Sequence, residues 1–404
     1  MISLLGSALV EFALAWYLTI KTGSATILAT AVMVALLPQV ILGPFIGPLI
    51  DRWNRKRIMI GADLTIALIT VGLVLLFYFD AIQVWHIYAA MIARAIGQAF
   101  HFPAMQATIP LIVPAKHLVR ISGITQMFQG VISIAAPPAG ALLMGLLPMQ
   151  GVLSIDIITA AIAITCLAAV TIPKTIRTAG TVATTVIKEM IQGFRYIWTW
   201  KGLRILMILS ALLNLFLIPP FTLLPILVNT NLGGDVLKLG WLESAFGIGV
   251  IVGGLILGAW GGFKKSMVTV LSGVAVSGAA AIAIGFTSMS LFMLGLSACF
   301  IIGAGLTFAN APILAIMQKT IANDMQGRVF SLVGAIGAAA TPLGLIIAGP
   351  LADSFGISII YFVAGAATLL LCVFAAFIPS VMNLGTEADE KTQIITSSNT
   401  GKNE

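Results

Sequence analysis

Twelve stretches of this chain stay apolar for roughly 20 residues at a time, the length a helix needs to cross a hydrocarbon core of about 30 Å. They run approximately over 2–20, 27–50, 58–79, 84–109, 122–147, 152–172, 205–229, 239–260, 266–286, 290–318, 329–351 and 357–379. None alternates polar and apolar residues strictly, so each segment must satisfy its backbone polar groups internally, as a helix does. Of the 404 residues, 59% are hydrophobic and 9% charged, more apolar surface than a soluble globule can hide from water. The solvent is lipid, and the fold class expected is an all-α membrane protein with twelve transmembrane helices.

The placement of the cations predicts orientation. Even-numbered connections, the central linker and the tail hold eighteen of the 21 lysines and arginines, whereas the odd-numbered connections hold Lys21 and Lys238 and one span holds Arg94. So uneven a split puts both termini in the cytoplasm of a multi-pass plasma-membrane protein. The net charge of +7 is then a record of topology and gives no reason to expect a nucleic-acid partner. Cys166, Cys299 and Cys372 all fall inside spans without C-x-x-C spacing, so neither a disulfide framework nor a metal site is expected. The first span lacks a basic n-region and an A-x-A-like cleavage site, and reads as a retained helix. It starts without the few charged residues common at a cytoplasmic N-terminus, which leaves open a segment upstream of this start.

The chain also resembles itself. Gly47–Trp53 and Gly254–Trp260 are each followed by a basic turn, at an offset of 207; Phe102-Pro103-Ala104 matches Ala311-Pro312-Ile313, and Ala136-Pro137-Pro138-Ala139-Gly140 corresponds to Thr341-Pro342-Leu343-Gly344. A nearly constant offset over three stretches is the mark of a duplicated membrane domain. The expected organisation is two pseudo-symmetric six-helix bundles, 1–172 and 205–379, joined by a cytoplasmic linker, 173–204, in which 186–198 has the pattern of an amphipathic interfacial helix. The tail, 380–404, is polar and is expected to be disordered.

Between the second and third spans an acid and four cations are packed into Asp51-Arg52-Trp53-Asn54-Arg55-Lys56-Arg57. Together with Gly47 this knot resembles the G-x-x-x-D-R-x-x-R-[RK] signature of the major facilitator superfamily, at Gly47, Asp51, Arg52, Arg55 and Lys56. Further stretches, Tyr17–Ala25, Arg57–Leu64, Ala99–Ala104 and Gly327–Leu332, are similar to the macrolide-efflux branch of its drug exporters. The resemblance implies the major facilitator fold, a proton-driven antiporter that acts by alternating access, a monomer, and a gating role for the knot. A carboxylate at one helix end can pair with a cation or a helix terminus on a facing domain. Such a latch is worth about 1–3 kcal/mol, enough to bias a near-balanced equilibrium. Gly258 takes the acid's place in the second repeat, so the latch is expected to be lopsided.

Three ionisable residues inside spans are the candidates for proton coupling. Glu11 lies near the middle of the first span, where a charge costs on the order of 3 kcal/mol or more, so it should face a cavity or carry a proton. Arg94 lies near the middle of the fourth, with Gln98 and His101 following at i+4 and i+7 on one stripe. It resembles the arginine of the antiporter signature, although Gly97 stands one position earlier than that signature's glycine, and Glu11 is its expected counter-charge. Asp63 is the third candidate, with membership of the charge network at Arg55–Arg57 as its alternative. Asp156 and Glu243 rank below Glu11, as interfacial caps or vestibule charges, and His101 reads either as a titrating group or as a hydrogen-bonded structural residue.

A hydrophobic cargo needs an apolar pocket with a few polar handles. Phe12, Trp16, Phe128, Phe216, Phe221 and Phe246 are candidates for its walls, and Gln39, Gln98, Gln126, Asn214 and Asn310 for its handles. No G-x-x-x-x-G-K-[ST] loop is present, so an ion gradient, with no cofactor, is the expected energy source for a chain that is a transporter and not an enzyme. Hydrophobic drugs of the macrolide type, protons and the bilayer are its expected partners. The rival readings are an exporter of an endogenous amphiphile, such as a siderophore or lysolipid, and a non-transporting membrane sensor or subunit.

Overall fold

The computed structural model describes residues 2–114, 117–170, 194–321 and 323–383. Most of the linker and nearly all of the tail therefore lie outside the described residues, and with them the expected amphipathic helix through 193. Twelve helices of 20 residues or more are present among those described. They are α1 (Ile2–Thr22), α2 (Ala25–Arg52), α3 (Arg55–Tyr78), α4 (Val84–Ile112), α5 (Leu118–Leu146), α6 (Met149–Ala169), α7 (Lys201–Thr222), α9 (Val236–Trp260), α10 (Ser266–Gly285), α11 (Phe292–Thr320), α12 (Asn323–Phe355) and α13 (Ile357–Ala376). A short α8 (Leu224–Asn231) sits between α7 and α9. Eleven of the long helices are apolar enough to cross a membrane; α4 is not among them, because Arg94, Gln98 and His101 lower its hydropathy.

One predicted element is divided. The span expected over 205–229 ends as α7 at Thr222, and the chain resumes as α8. Pro219 and Pro220 lie in the last turn of α7 and Pro225 in the first turn of α8, so the i→i−4 ladder loses donors on both sides of Leu223.

The helices form two compact units. Among the described residues, the first contains those up to 170 together with 222–244 and 345–353; the second contains 194–221, those within 245–344, and 354–383. In this clustering α8, the start of α9 and the end of α12 belong to the first unit. Three contacts hold the end of α12 and the start of α9 there. The Asp353 carboxylate accepts from the Ala25 and Thr26 amides at 2.7 and 3.0 Å and from the Ser24 hydroxyl at 2.8 Å, capping the first turn of α2. A side chain at Gly349 would collide with the Thr26 backbone, and one at Gly240 with Pro137 and Pro138 of α5.

Within the first unit α3 packs on α4 and α6, α1 on α5 and α6, and α2 on α4. Its apolar interior includes Val10, Leu14, Leu18, Leu73, Ile87 and Leu153. In the second unit α10 lies between α11 and α13. There α9 and α11 touch backbone to backbone: a Cβ at Gly253 would stand 2.7 Å from the Ala304 Cα. Small residues allow this approach, which in lipid is a main source of helix association.

Candidate functional site

The site grows from one face of α4. Arg94, Gln98 and His101 each engage a carboxylate, and each carboxylate comes from a different helix. Arg94 reaches α6, where its Nη1 lies 2.5 Å from Asp156 Oδ2. Gln98 reaches α1 and donates to Glu11 Oε1 at 2.8 Å. His101 reaches α3, with Nε2 3.5 Å from Asp63 Oδ2.

These contacts divide the face into three levels. At the first, Asp156 is fully buried and Arg94 nearly so. The Ser7 hydroxyl donates to Asp156 Oδ1 at 3.2 Å and the Thr70 hydroxyl to Oδ2 at 2.9 Å, while Arg94 also donates to Thr70. Gly6 makes the Ser7 contact possible, since a side chain there would run into Thr159 and the Asp156 backbone. Two charges buried together require this density of donors and acceptors to offset desolvation. The Nη2 of Arg94 is buried without a hydrogen-bond partner among the described residues. At the second level Glu11 is exposed, and the Gln98 amide is its hydrogen-bond donor. At the third, Asp63 is buried and accepts from the Ser3 hydroxyl at 3.1 Å, beside a His101 side chain that is 13% exposed.

The expected pairing of Arg94 with Glu11 is thus replaced by Arg94 with Asp156. Both acids project towards α4, but Glu11 meets the position one turn along, and the residue opposite Arg94 belongs to α6. Asp63 is bonded to Ser3 and His101 rather than placed at the basic turn. Asp156, expected as an interfacial charge, is the most deeply buried acid of the face. Its pairing joins residues 62 apart and leaves no local spacing to read.

At the start of α3, two cations of the knot bind backbone carbonyls of neighbouring helices. Arg55 Nη1 donates to the Ala107 carbonyl of α4 at 2.6 Å, and Lys56 Nζ to the carbonyls of Ala168 and Val170 at the end of α6, both at 2.7 Å. The Lys56 ammonium thereby satisfies carbonyls at the C-terminus of α6 that have no partner within the helix. The side chains of Asp51 and Arg52, and the surroundings of Gly47, lie outside the described residues.

The second unit holds an apolar cavity of about 290 Å³. Asn214 and Asn310 are among its polar lining groups, and Phe221 and Phe246 line it with ring centroids 4.5 Å apart. Met267, Val274, Ile302 and Cys372 complete much of the wall; nothing in their apolar runs distinguishes them in sequence. The other expected lining residues lie elsewhere. Phe12 and Trp16 are buried in the first unit, where the Phe12 ring packs against Gly140; Gln39 and Phe128 are exposed, and Gln98 holds Glu11. Phe216 is half-buried on α7, outside the lining. The Gln126 side chain lies outside the described residues.

Comparison with known proteins agrees with this architecture. The profile described as "Major Facilitator Superfamily" matches residues 1–344 and 222–396. Macrolide efflux protein A of Streptococcus pyogenes is 33% identical over 372 residues, covering 92% of this chain and 91% of that protein. Macrolide efflux protein A of Enterococcus faecalis is 32% identical, covering 80% of this chain and all of the relative. Among solved structures, a D-xylose-proton symporter matches with a TM-score of 0.69 at 15% identity, over 94% of this chain and 97% of that one. A fold shared with transporters, and relatives above 30% identity along most of the chain, identify a multi-pass membrane protein that belongs to the major facilitator superfamily, in the family of the macrolide efflux proteins.

Proposed function

We propose that the chain exports hydrophobic drugs of the macrolide type across the plasma membrane by alternating access, in exchange for protons. The observation that carries the reading is the 33% identity to a macrolide efflux protein over 92% of the chain. The geometry supports it: an apolar cavity with amide handles in the second unit suits a large, mostly apolar cargo. In the first unit an exposed carboxylate, Glu11, stands within a predicted span. A charge kept at that depth is a functional group by default. Glu11 takes up the proton and gives it up as the two repeats, 1–172 and 205–379, rock about it. A proton moving down a potential of 100 mV yields about 2.3 kcal/mol, which drives a modest uphill export. The chain works as a monomer with both termini in the cytoplasm, and the knot at Asp51 to Lys56 governs the equilibrium between states.

Cellular accumulation of a radiolabelled macrolide, with and without the protein, tests the reading. Cells that contain the protein should hold less drug, and a protonophore should abolish the difference. Exclusion that survives the protonophore would remove the proton from the mechanism. No exclusion of any drug, with an amphiphile found instead among exported metabolites, would replace the substrate class. Glu11→Gln should lose uphill export; full-rate export with unchanged pH sensitivity would rule out its role.

A further inference from the structure

The face of α4 contains a second group able to exchange protons. We infer that Asp63 and His101 form a proton-binding pair, one helical turn from Glu11's partner Gln98, which passes the coupling proton towards the side of the membrane that carries the basic turn. The inference rests on the reading of the chain as a proton-driven exporter and assigns the second station of that route.

Four observations carry it. His101 is the third position of the stripe that already holds Glu11, and the step from Gln98 to His101 advances roughly 4.5 Å along the axis, a distance that side-chain rotation can span. Asp63 lies eight residues beyond Arg55 in α3, roughly 12 Å along that helix. The pair is therefore displaced from Glu11 towards the basic turn. Its contacts are sparse: the Asp63–His101 separation is 3.5 Å, and the Ser3 hydroxyl donates to the acid at 3.1 Å. Asp156, by contrast, is held by Ser7, Thr70 and Arg94 together. A loosely held acid–imidazole pair can open and close around a proton, whereas the tightly bonded ion pair is suited to a fixed charge. Finally, a neutral imidazole offers one ring nitrogen whose lone pair can take up a proton.

The surrounding charges are compatible with the transfer. From α1 the pair meets Ser3, with Glu11 two turns further on; from α4 comes Arg94, whose charge is matched by Asp156 of α6. Arg55 and Lys56, at the basic turn, point at backbone carbonyls of α4 and α6. In the step itself the Glu11 carboxyl breaks its O–H bond and His101 Nε2 forms an N–H bond. The Asp63 carboxylate neutralises the imidazolium until the proton is released to the basic-turn side. One proton moves and no electrons do.

Proteoliposomes loaded with erythromycin test the pair through two readouts. Exchange of internal for labelled external drug at equal pH requires the binding site and the conformational change but no net proton movement. Accumulation driven by an imposed pH gradient requires both, plus proton release. His101→Gln and Asp63→Asn should each keep exchange and lose gradient-driven accumulation. Gradient-driven accumulation at the wild-type level in both variants would overturn the inference. So would loss of exchange along with accumulation in both, which would make the pair structural. Wild-type vesicles indifferent to the gradient would remove proton coupling itself, and the relay with it.

Discussion

A buried ion pair is defined by what happens when half of it is removed. Asp156 and Arg94 are both buried, so an alanine at 156 leaves a guanidinium in an apolar interior with the Thr70 hydroxyl, among the described residues, to meet it. Breaking such a pair typically costs about 3–5 kcal/mol, whereas replacing both partners by apolar residues is often neutral. Thermal unfolding in detergent should therefore show a large loss for Asp156→Ala and recovery of most of it in the double variant Arg94→Met, Asp156→Leu. Equal losses in the two variants would mean that the pair's hydrogen bonds, and not its uncompensated charge, dominate. At this scale the sequence is half legible. The spacing of 94, 98 and 101 reveals a polar stripe on one helix, because the period of a helix is local. Its partners Asp156, Glu11 and Asp63 come from three other helices, and the choice among them is made by packing, notably by the close approach of α1 and α6 at Gly6.

Helix contacts in lipid depend on how near two backbones can come. At Gly253 a Cβ would meet the Ala304 Cα at 2.7 Å and its carbonyl oxygen at 2.9 Å, neither of which can turn aside. Gly253→Val should force α9 from α11 at a cost typical of overpacking, about 1–3 kcal/mol. A lower melting temperature would record it; an unchanged one would mean that the crossing has slack. Apolar length and turn chemistry predict most element boundaries to within a few residues, as for α3, expected over 58–79 and found over Arg55–Tyr78, with Asn54 capping its start. The break at Leu223 is signalled by its prolines but hidden by a continuous apolar run. The extension of α12 to 33 residues, from Asn323, is masked by its polar first turns.

For the molecule as a whole, the knot after α2 is the element whose alteration should change rate without changing fold. Asp51→Asn should reduce drug export while membrane insertion and melting temperature remain those of the parent, measured by drug accumulation and by quantity in the membrane fraction. Normal export by the inserted variant would count against a gate. The overall class follows from apolar length alone. The compact units do not, because the membership of 222–244 and 345–353 depends on contacts between stretches far apart in the chain, such as Asp353 with the start of α2. The row on α4 has a mechanical consequence too. With Arg94, Gln98 and His101 it grips α6, α1 and α3 at successive heights. None of those three neighbours can slide lengthwise along it without parting its polar clasp. Sliding is thereby resisted at every height, and the four helices are keyed together like pins in a lock.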